Sequence, residues 1–356
     1  MSAFDPKRTS PFHTRSFVGT IFRVASGAIV RRREFVRLLA GSVVAGPCAV
    51  LAQQPSRMYR LGSLSTAGPL NEANPNGKIL LAALKQRGYA LGQNLSYDAR
   101  GAMGDVTKVR EHMAEFKAAN VDVVVAVGYP VAVAAKALQI PTVIAWGAGD
   151  PVATGLIDGL ARPGGNITGV SDVATTLTTK RLSLLKELGP AIRRVAMLWN
   201  KDDLGMTLRY EASAKVAQTV GVIVQPLGVR EPNDFDEAFA VMNREPPDAI
   251  LMVNDALTAL NRKRIFDFAM ERRLPAMYEY SFLVRDGGLM SYGPDLKETV
   301  ERAAAMVDRI FQGARPAELP FEEPTHYRFA LNLKTAKAIG LTIPQFVLAL
   351  ADEVIE

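Results

Sequence analysis

The polar residues of this chain that could do chemistry fall at the carboxyl ends of apolar runs. Ser65 and Thr66 follow Tyr59 to Leu64, and Gly128 and Tyr129 follow the valine-rich run Val121 to Val127. Asp150 comes just after Pro141 to Ala145, and Asn200 closes Arg194 to Trp199. Asn254 and Asp255 close Asp248 to Val253, and Glu279 and Tyr280 close Pro275 to Tyr278. In open parallel sheets the strand carboxyl ends are where ligands bind. The N–H groups that open the following helices suit a carboxylate. Asp150 or Asp255 could accept from an ammonium group, and Tyr129, Trp146, Tyr280 and Tyr292 could line an apolar pocket. Ser, Thr, Asn and Asp are also common helix caps, and singly each of these is a cap more often than a contact. Asp150 and Asp255 stand above the rest because both follow strongly apolar strands, so a cleft would hold them.

Enzymatic signatures are missing. The loop after the first strand reads Leu64-Ser65-Thr66-Ala67-Gly68, with no G-x-G-x-x-G, and neither a phosphate loop nor a G-x-S-x-G elbow occurs. His112, in a helix pattern, and His326, in a late strand pattern, read as ordinary partly exposed residues rather than metal ligands. Cys48 is the only cysteine and lies in the leader, so the body has no disulfide, thiol nucleophile or thiolate metal site. The expectation is a binding protein with no catalytic residue, cofactor or metal.

The elements that must position these residues alternate. Tyr59 to Ser65, Asn94 to Arg100, Val121 to Gly128 and Pro141 to Ala145 read as strands, with helices over Pro75 to Gly88, Asp105 to Ala119 and from Tyr129 onward. The run of valines suits a strand buried on both faces. Trp146 to Ser171 reads as the crossing to a second lobe. That lobe repeats the scheme, with strands ending at Asn200, Leu227, Asp255 and Tyr280 and a single helix over Thr258 to Arg272. The predicted fold is α/β: two doubly wound parallel-sheet lobes. The predicted lobes are residues 53–171 plus 289–326 and 172–288 plus 327–356, with the strand Leu289 to Gly293 returning to the first.

Residues 1–52 read as an export leader. They hold eight of the 42 Lys and Arg and two of the 36 Asp and Glu, which accounts for the whole net charge of +6. The remaining 34 bases and 34 acids cancel. The body therefore offers no electrostatic case for nucleic acid, which needs a concentrated basic face. Arg31-Arg32-Arg33 precedes a fifteen-residue apolar stretch, Leu38 to Ala52, too short for a comfortable membrane span. Val50-Leu51-Ala52 is a small-residue cleavage site before Gln53. Arg32-Arg33-Glu34-Phe35 resembles the twin-arginine motif, and translation from Val30 would put the charged region at the start of the signal. The expected location is the periplasm.

Several motifs, in order, carry a resemblance. Gly149 to Ser171, Lys180 to Leu188, Arg194 to Asn200, Gly287 to Gly293 and Gly340 to Pro344 resemble the ABC-transporter substrate-binding proteins of the TrpX-like kind. The likeness covers about residues 57 to 356. It implies a type I periplasmic-binding-protein fold whose two lobes are joined by a multi-crossing hinge, a small amino-acid-like ligand and an ABC permease in the inner membrane as partner. It also implies a ligand carboxylate at Ser65, Thr66 and the Gly128-Tyr129 turn, and keeps the family's Asp-Pro at Asp150-Pro151. A secreted enzyme or a sensor partner of a signalling receptor could use the same fold. A LacI-type regulator would need a helix-turn-helix where the leader stands.

Overall fold

The computed structural model describes residues 57–172, 174–189 and 191–356. The expectations for the leader, Cys48 among them, lie outside the described residues.

The first sheet is all parallel, with strands β1 (Tyr59–Ser65), β2 (Leu95–Gly101), β3 (Val123–Val127), β4 (Thr142–Trp146) and β5 (Ile167–Gly169) in the order β2-β1-β3-β4-β5. Its central strand β3 shows why the valine run is continuous. Val123, Val125 and Val127 pack on one face with helix α1 (Pro75–Gln86), while Val124 and Ala126 pack on the other with α2 (Val106–Ala118) and α3 (Tyr129–Leu138). Successive side chains point to opposite faces, and here both faces are dry. Local sequence sets the helix starts: Asn74 caps α1 ahead of Pro75, and Asp105 caps α2.

The second sheet has seven strands, β6 (Arg194–Asn200), β7 (Ile223–Val229), β8 (Ala249–Met252), β9 (Ala276–Tyr278), β10 (Met290–Pro294), β11 (Tyr327–Asn332) and β12 (Glu353–Ile355), in the order β12-β11-β10-β9-β8-β6-β7. Only the β10–β11 pair is antiparallel. Val195, Met197 and Trp199 of β6 face one apolar cluster, and Ala196 and Leu198 face the other. Helices α4 (Ala174–Glu187) and α5 (Leu204–Ala217) cover the first of these faces, and α6 (Asp234–Arg244) covers the second. The helix expected over Thr258 to Arg272 is two, α7 (Ala256–Leu260) and α8 (Arg262–Glu271), broken at Asn261, whose side chain donates to the Leu257 carbonyl.

The crossings differ from expectation. The stretch after Trp146 stays with the first sheet, because β5 pairs with β4. The chain crosses only after Val170. Strand β10 pairs with β9 and β11 rather than returning to the first lobe. The return is made by the next helix, α9 (Leu296–Phe311), whose Val300, Ala303, Ala304 and Val307 join the core over β1, β3 and β4. A third crossing leads into β11. The three run side by side: Ser171 N donates to the Glu322 carbonyl at 2.8 Å, and Asp295 N donates to the His326 carbonyl at 3.0 Å. Glu298 ties the last two together, accepting from the backbone and hydroxyl of Thr325, from His326 N and from Arg302. Burial raises its carboxyl pKa, but these donors outweigh burial and bring it down to about 2.

Candidate functional site

The strand carboxyl ends of both sheets open on one cleft. It has two adjoining compartments of 740 Å³ and 660 Å³, which share Thr66, Gly128, Gly147, Asp255 and Ala256. Each lies within the usual range for small-molecule sites, about 300–1,000 Å³.

On the first-lobe side, the turn after β1 is held by Ser65 Oγ, which accepts from Ala67 N at 3.1 Å. Thr66 N donates to the Val127 carbonyl at 3.2 Å, which sets the loops after β1 and β3 side by side. Gly128 has φ of +97°, and a Cβ there would sit 2.6 Å from Thr66 Oγ1. Only glycine fits this approach. It also leaves α3 without a side-chain cap, so the first N–H groups of that helix are open to a ligand acceptor.

On the second-lobe side, Asp255 is fixed at both oxygens. Oδ2 accepts from Asn200 Nδ2 at 2.7 Å, and Oδ1 accepts from Thr258 N at 2.9 Å. Thr258 Oγ1 in turn accepts from Asp255 N at 3.0 Å, completing a capping box on α7. Burial pushes the Asp255 carboxyl up, against the hydrogen bonds from Thr258 and Asn200. Asp203, only 5% exposed, caps α5 through Met206 N at 3.2 Å and lines the same compartment. Burial, and then the charge of Asp255, push Asp203 up to about 7. Asn254 lines the other compartment. Its N–H donates to Glu279 Oε2 at 3.2 Å, and its buried Oδ1 has no partner.

Beneath the cleft lies a quartet of buried charges, Asp172, Arg181, Arg209 and Glu279. Asp172, on the first crossing, accepts from Gly147 N at 3.2 Å and from Arg209. Arg209 also donates to Glu279 Oε2 at 2.7 Å, and Arg181 donates to Glu279 Oε1 at 3.0 Å and to the Tyr292 carbonyl at 2.7 Å. The quartet thus joins a cleft-lining turn of the first lobe to Asn254 of the second. Close by, the lobes meet backbone to backbone. Gly149 has φ of +74°, and a Cβ there would lie 2.9 Å from Gly205 Cα at the start of α5.

Five of the nine residues expected in the site converge on this cleft: Ser65, Thr66, Gly128, Asn200 and Asp255. Trp146 joins them. Four do not line it. Asp150 is exposed and caps its own turn, accepting from Val152 N and Ala153 N at 3.0 Å each, so it is no cleft acid. Tyr129, the first residue of α3, packs partly buried against the core. Tyr280 is 2% exposed and stacks on Phe282. Tyr292 stacks on Tyr327. Sequence reasoning missed Asp203, Asp172, Arg181 and Arg209, and named Glu279 only as a strand-end residue, without its partners. The available signal was Arg181 standing among Leu177, Leu184 and Leu185 on the apolar stripe of α4, because a charge on a buried helix face needs partners. Among the described residues, no group of three or more His, Cys, Asp or Glu could hold a metal ion.

Two parallel-dominated α/β lobes with a ligand-sized cleft between them define the type I periplasmic-binding-protein fold. The chain belongs to the ABC transporter substrate binding protein family, whose model matches residues 75–355. It is 23% identical over 265 residues to a tyrosine-binding protein of Clostridioides difficile (strain R20291), covering 74% of this chain and 76% of that protein. It shares its fold with the ABC domain in complex with L-Trp from Streptococcus pneumonia, at 24% identity and a TM-score of 0.75, over 84% of this chain and 100% of that one. A conserved domain protein from Vibrio cholerae O1 biovar eltor has the same fold at 24% identity and a TM-score of 0.78, with the same coverage. The family is one of extracytoplasmic solute-binding proteins rather than enzymes. Among the described residues, no helix is long and apolar enough to cross a membrane.

Proposed function

We propose that this chain captures a small amino-acid-like solute between its lobes and delivers it to an ABC permease of the inner membrane. Export by the leader would place it in the periplasm. The observation that carries the reading is the opposition of groups across one cleft. Ser65, Thr66 and the uncapped start of α3 suit a carboxylate, and Asp255, held rigid by Asn200 and Thr258, suits an ammonium group. A solute bearing both charges bridges the lobes, so it favours the closed arrangement, where both contact sets are made together. The relatives named for tyrosine and L-Trp support an amino acid as the class. The test is thermal unfolding of the chain against amino acids, small carboxylates, sugars and nucleosides. A ligand at 100 times its Kd stabilises by about 2.7 kcal/mol. A shift confined to amino acids is expected, and a shift confined to sugars or nucleosides would overturn the reading.

A further inference from the structure

We infer that Arg209 is a positioning residue for capture: through two carboxylate partners it sets the first-lobe wall of the cleft against the second-lobe wall, and so sets ligand affinity without touching the ligand. This rests on the reading that a solute is bound between the lobes. It goes beyond that reading by tying affinity to a buried residue that lines neither compartment.

Toward the first lobe, Arg209 donates to Asp172, which also accepts from Gly147 N at 3.2 Å. Gly147 has φ of +79°, and a Cβ there would stand 3.4 Å from Gly128 N, so its turn backs onto the Gly128 turn. Gly128 N in turn donates to the Trp146 carbonyl at 3.2 Å. Toward the second lobe, Arg209 donates to Glu279 Oε2 at 2.7 Å, and the same oxygen accepts from Asn254 N at 3.2 Å, one residue before Asp255. The Gly128 turn and Asp255, which face each other as ligand groups, are therefore each reached from one guanidinium through one carboxylate. Helix α5 meets the first lobe a second time one turn earlier, at Gly205, against which Gly149 packs.

Stability alone does not call for charges here. Each side chain of the quartet is 3% exposed, and buried ion pairs are commonly matched or bettered by apolar packing. A guanidinium offers instead a planar fork of donors that holds two carboxylates in a fixed arrangement. A lysine ammonium is a compact point charge on a flexible stem and does not. Arg181 reaches only Glu279 and the Tyr292 carbonyl, both in the second lobe, so within the quartet the tie between the walls runs through Arg209. Walls set in advance lower the cost of ordering the site when a ligand arrives.

The experiment compares the wild type, Arg209→Lys and Arg181→Lys by residue-resolved amide hydrogen exchange on the free protein and by calorimetric titration with L-tyrosine. Arg209→Lys keeps the charge balance and loses only the fork. It should speed exchange at Gly147 and Asn254 together, on opposite walls, by about tenfold beyond any change at the core amides of Val125 and Ala196. Arg181→Lys should speed Asn254 and leave Gly147 at the wild-type rate. L-tyrosine should bind Arg209→Lys about tenfold more weakly, a usual size for coupling between separated groups. Asp172→Asn cuts the same tie from its other end and should weaken L-tyrosine by a similar factor, with no further loss in the double variant. Exchange at Gly147 that rises only in step with the core, equal affinity of the wild type and Arg209→Lys, or losses that add in the double variant would each overturn the inference. If Arg209→Lys does not fold, Asp172→Asn decides it by faster exchange at Gly147 and weaker L-tyrosine binding. If neither L-tyrosine nor any other amino acid binds the wild type, the amino-acid reading fails, and the exchange rates alone decide whether Arg209 ties the walls.

Discussion

Arg209→Met is the sharpest stability test of the buried quartet. Arg209 is 2% exposed and donates to both Asp172 and Glu279. After the change Glu279 keeps Arg181 at 3.0 Å, but Asp172 keeps only Gly147 N at 3.2 Å. One carboxylate is therefore left buried without a counter-charge. Breaking a buried pair in this way costs about 3–5 kcal/mol. Burial already pushes Asp172 up even with Arg209 present, so in the variant Asp172 takes a proton more readily still. Its folded-state pKa then stands above the unfolded value, and the native state binds the extra proton. The variant's deficit is largest at high pH and narrows as pH falls, by up to about 1.4 kcal/mol per unit. Urea unfolding of the wild type and Arg209→Met at pH 8 and pH 5 measures this. The double variant Asp172→Asn/Arg209→Met should recover much of the loss, because both unbalanced charges are gone. A deficit below about 1 kcal/mol at pH 8, or a double variant no more stable than the single, would refute the account of the quartet.

Other consequences follow from single residues. Gly128→Ala places a Cβ against Thr66 at positive φ, so it should cost about 1–3 kcal/mol in thermal unfolding and also weaken ligand binding. Asp150→Ala should lower stability by about 1 kcal/mol through its lost turn cap and leave ligand affinity unchanged; a loss of affinity would return Asp150 to the site. Glu298 holds its carboxyl near 2 in the folded protein, below its ordinary value of 4.5. Its contribution is complete above about 4.5 and disappears as pH falls toward 2, so acid unfolding of wild type and Glu298→Gln should converge at the acid end of that window.

Much of the fold was legible because it is written in local patterns. The valine run of β3, the caps at Asn74 and Asp105 and the periodic helices all act over a few residues. The residues at strand carboxyl ends were legible for the same reason, and where the following turn is tight, as at Ser65-Thr66 and Val253-Asn254-Asp255, they reach the cleft. Asp150 fails because three residues, Gly147 to Gly149, separate it from β4. Gly147 and Gly149, both at positive φ, turn the chain within that gap. Tyr280 fails because its side chain is buried beside the charged quartet and stacks on Phe282 instead of facing the cleft. The return of the chain to the first lobe was assigned one element too early. A buried strand reads the same in either sheet, and only pairing with β9 and β11 places β10. The pairing within the quartet was invisible for a related reason: Asp172, Arg181, Arg209 and Glu279 meet across more than 100 residues, and no spacing rule spans that distance.

The central claim is that an amino-acid-like solute is held in the cleft by Asp255. Titration of L-tyrosine and other amino acids into the wild type and Asp255→Ala tests it most directly. Saturable one-to-one binding of an amino acid to the wild type, abolished in the variant while the fold persists by circular dichroism, is the result expected. Equal affinity in both proteins would remove Asp255 from the site, and the absence of saturable binding by any amino acid would contradict the reading altogether.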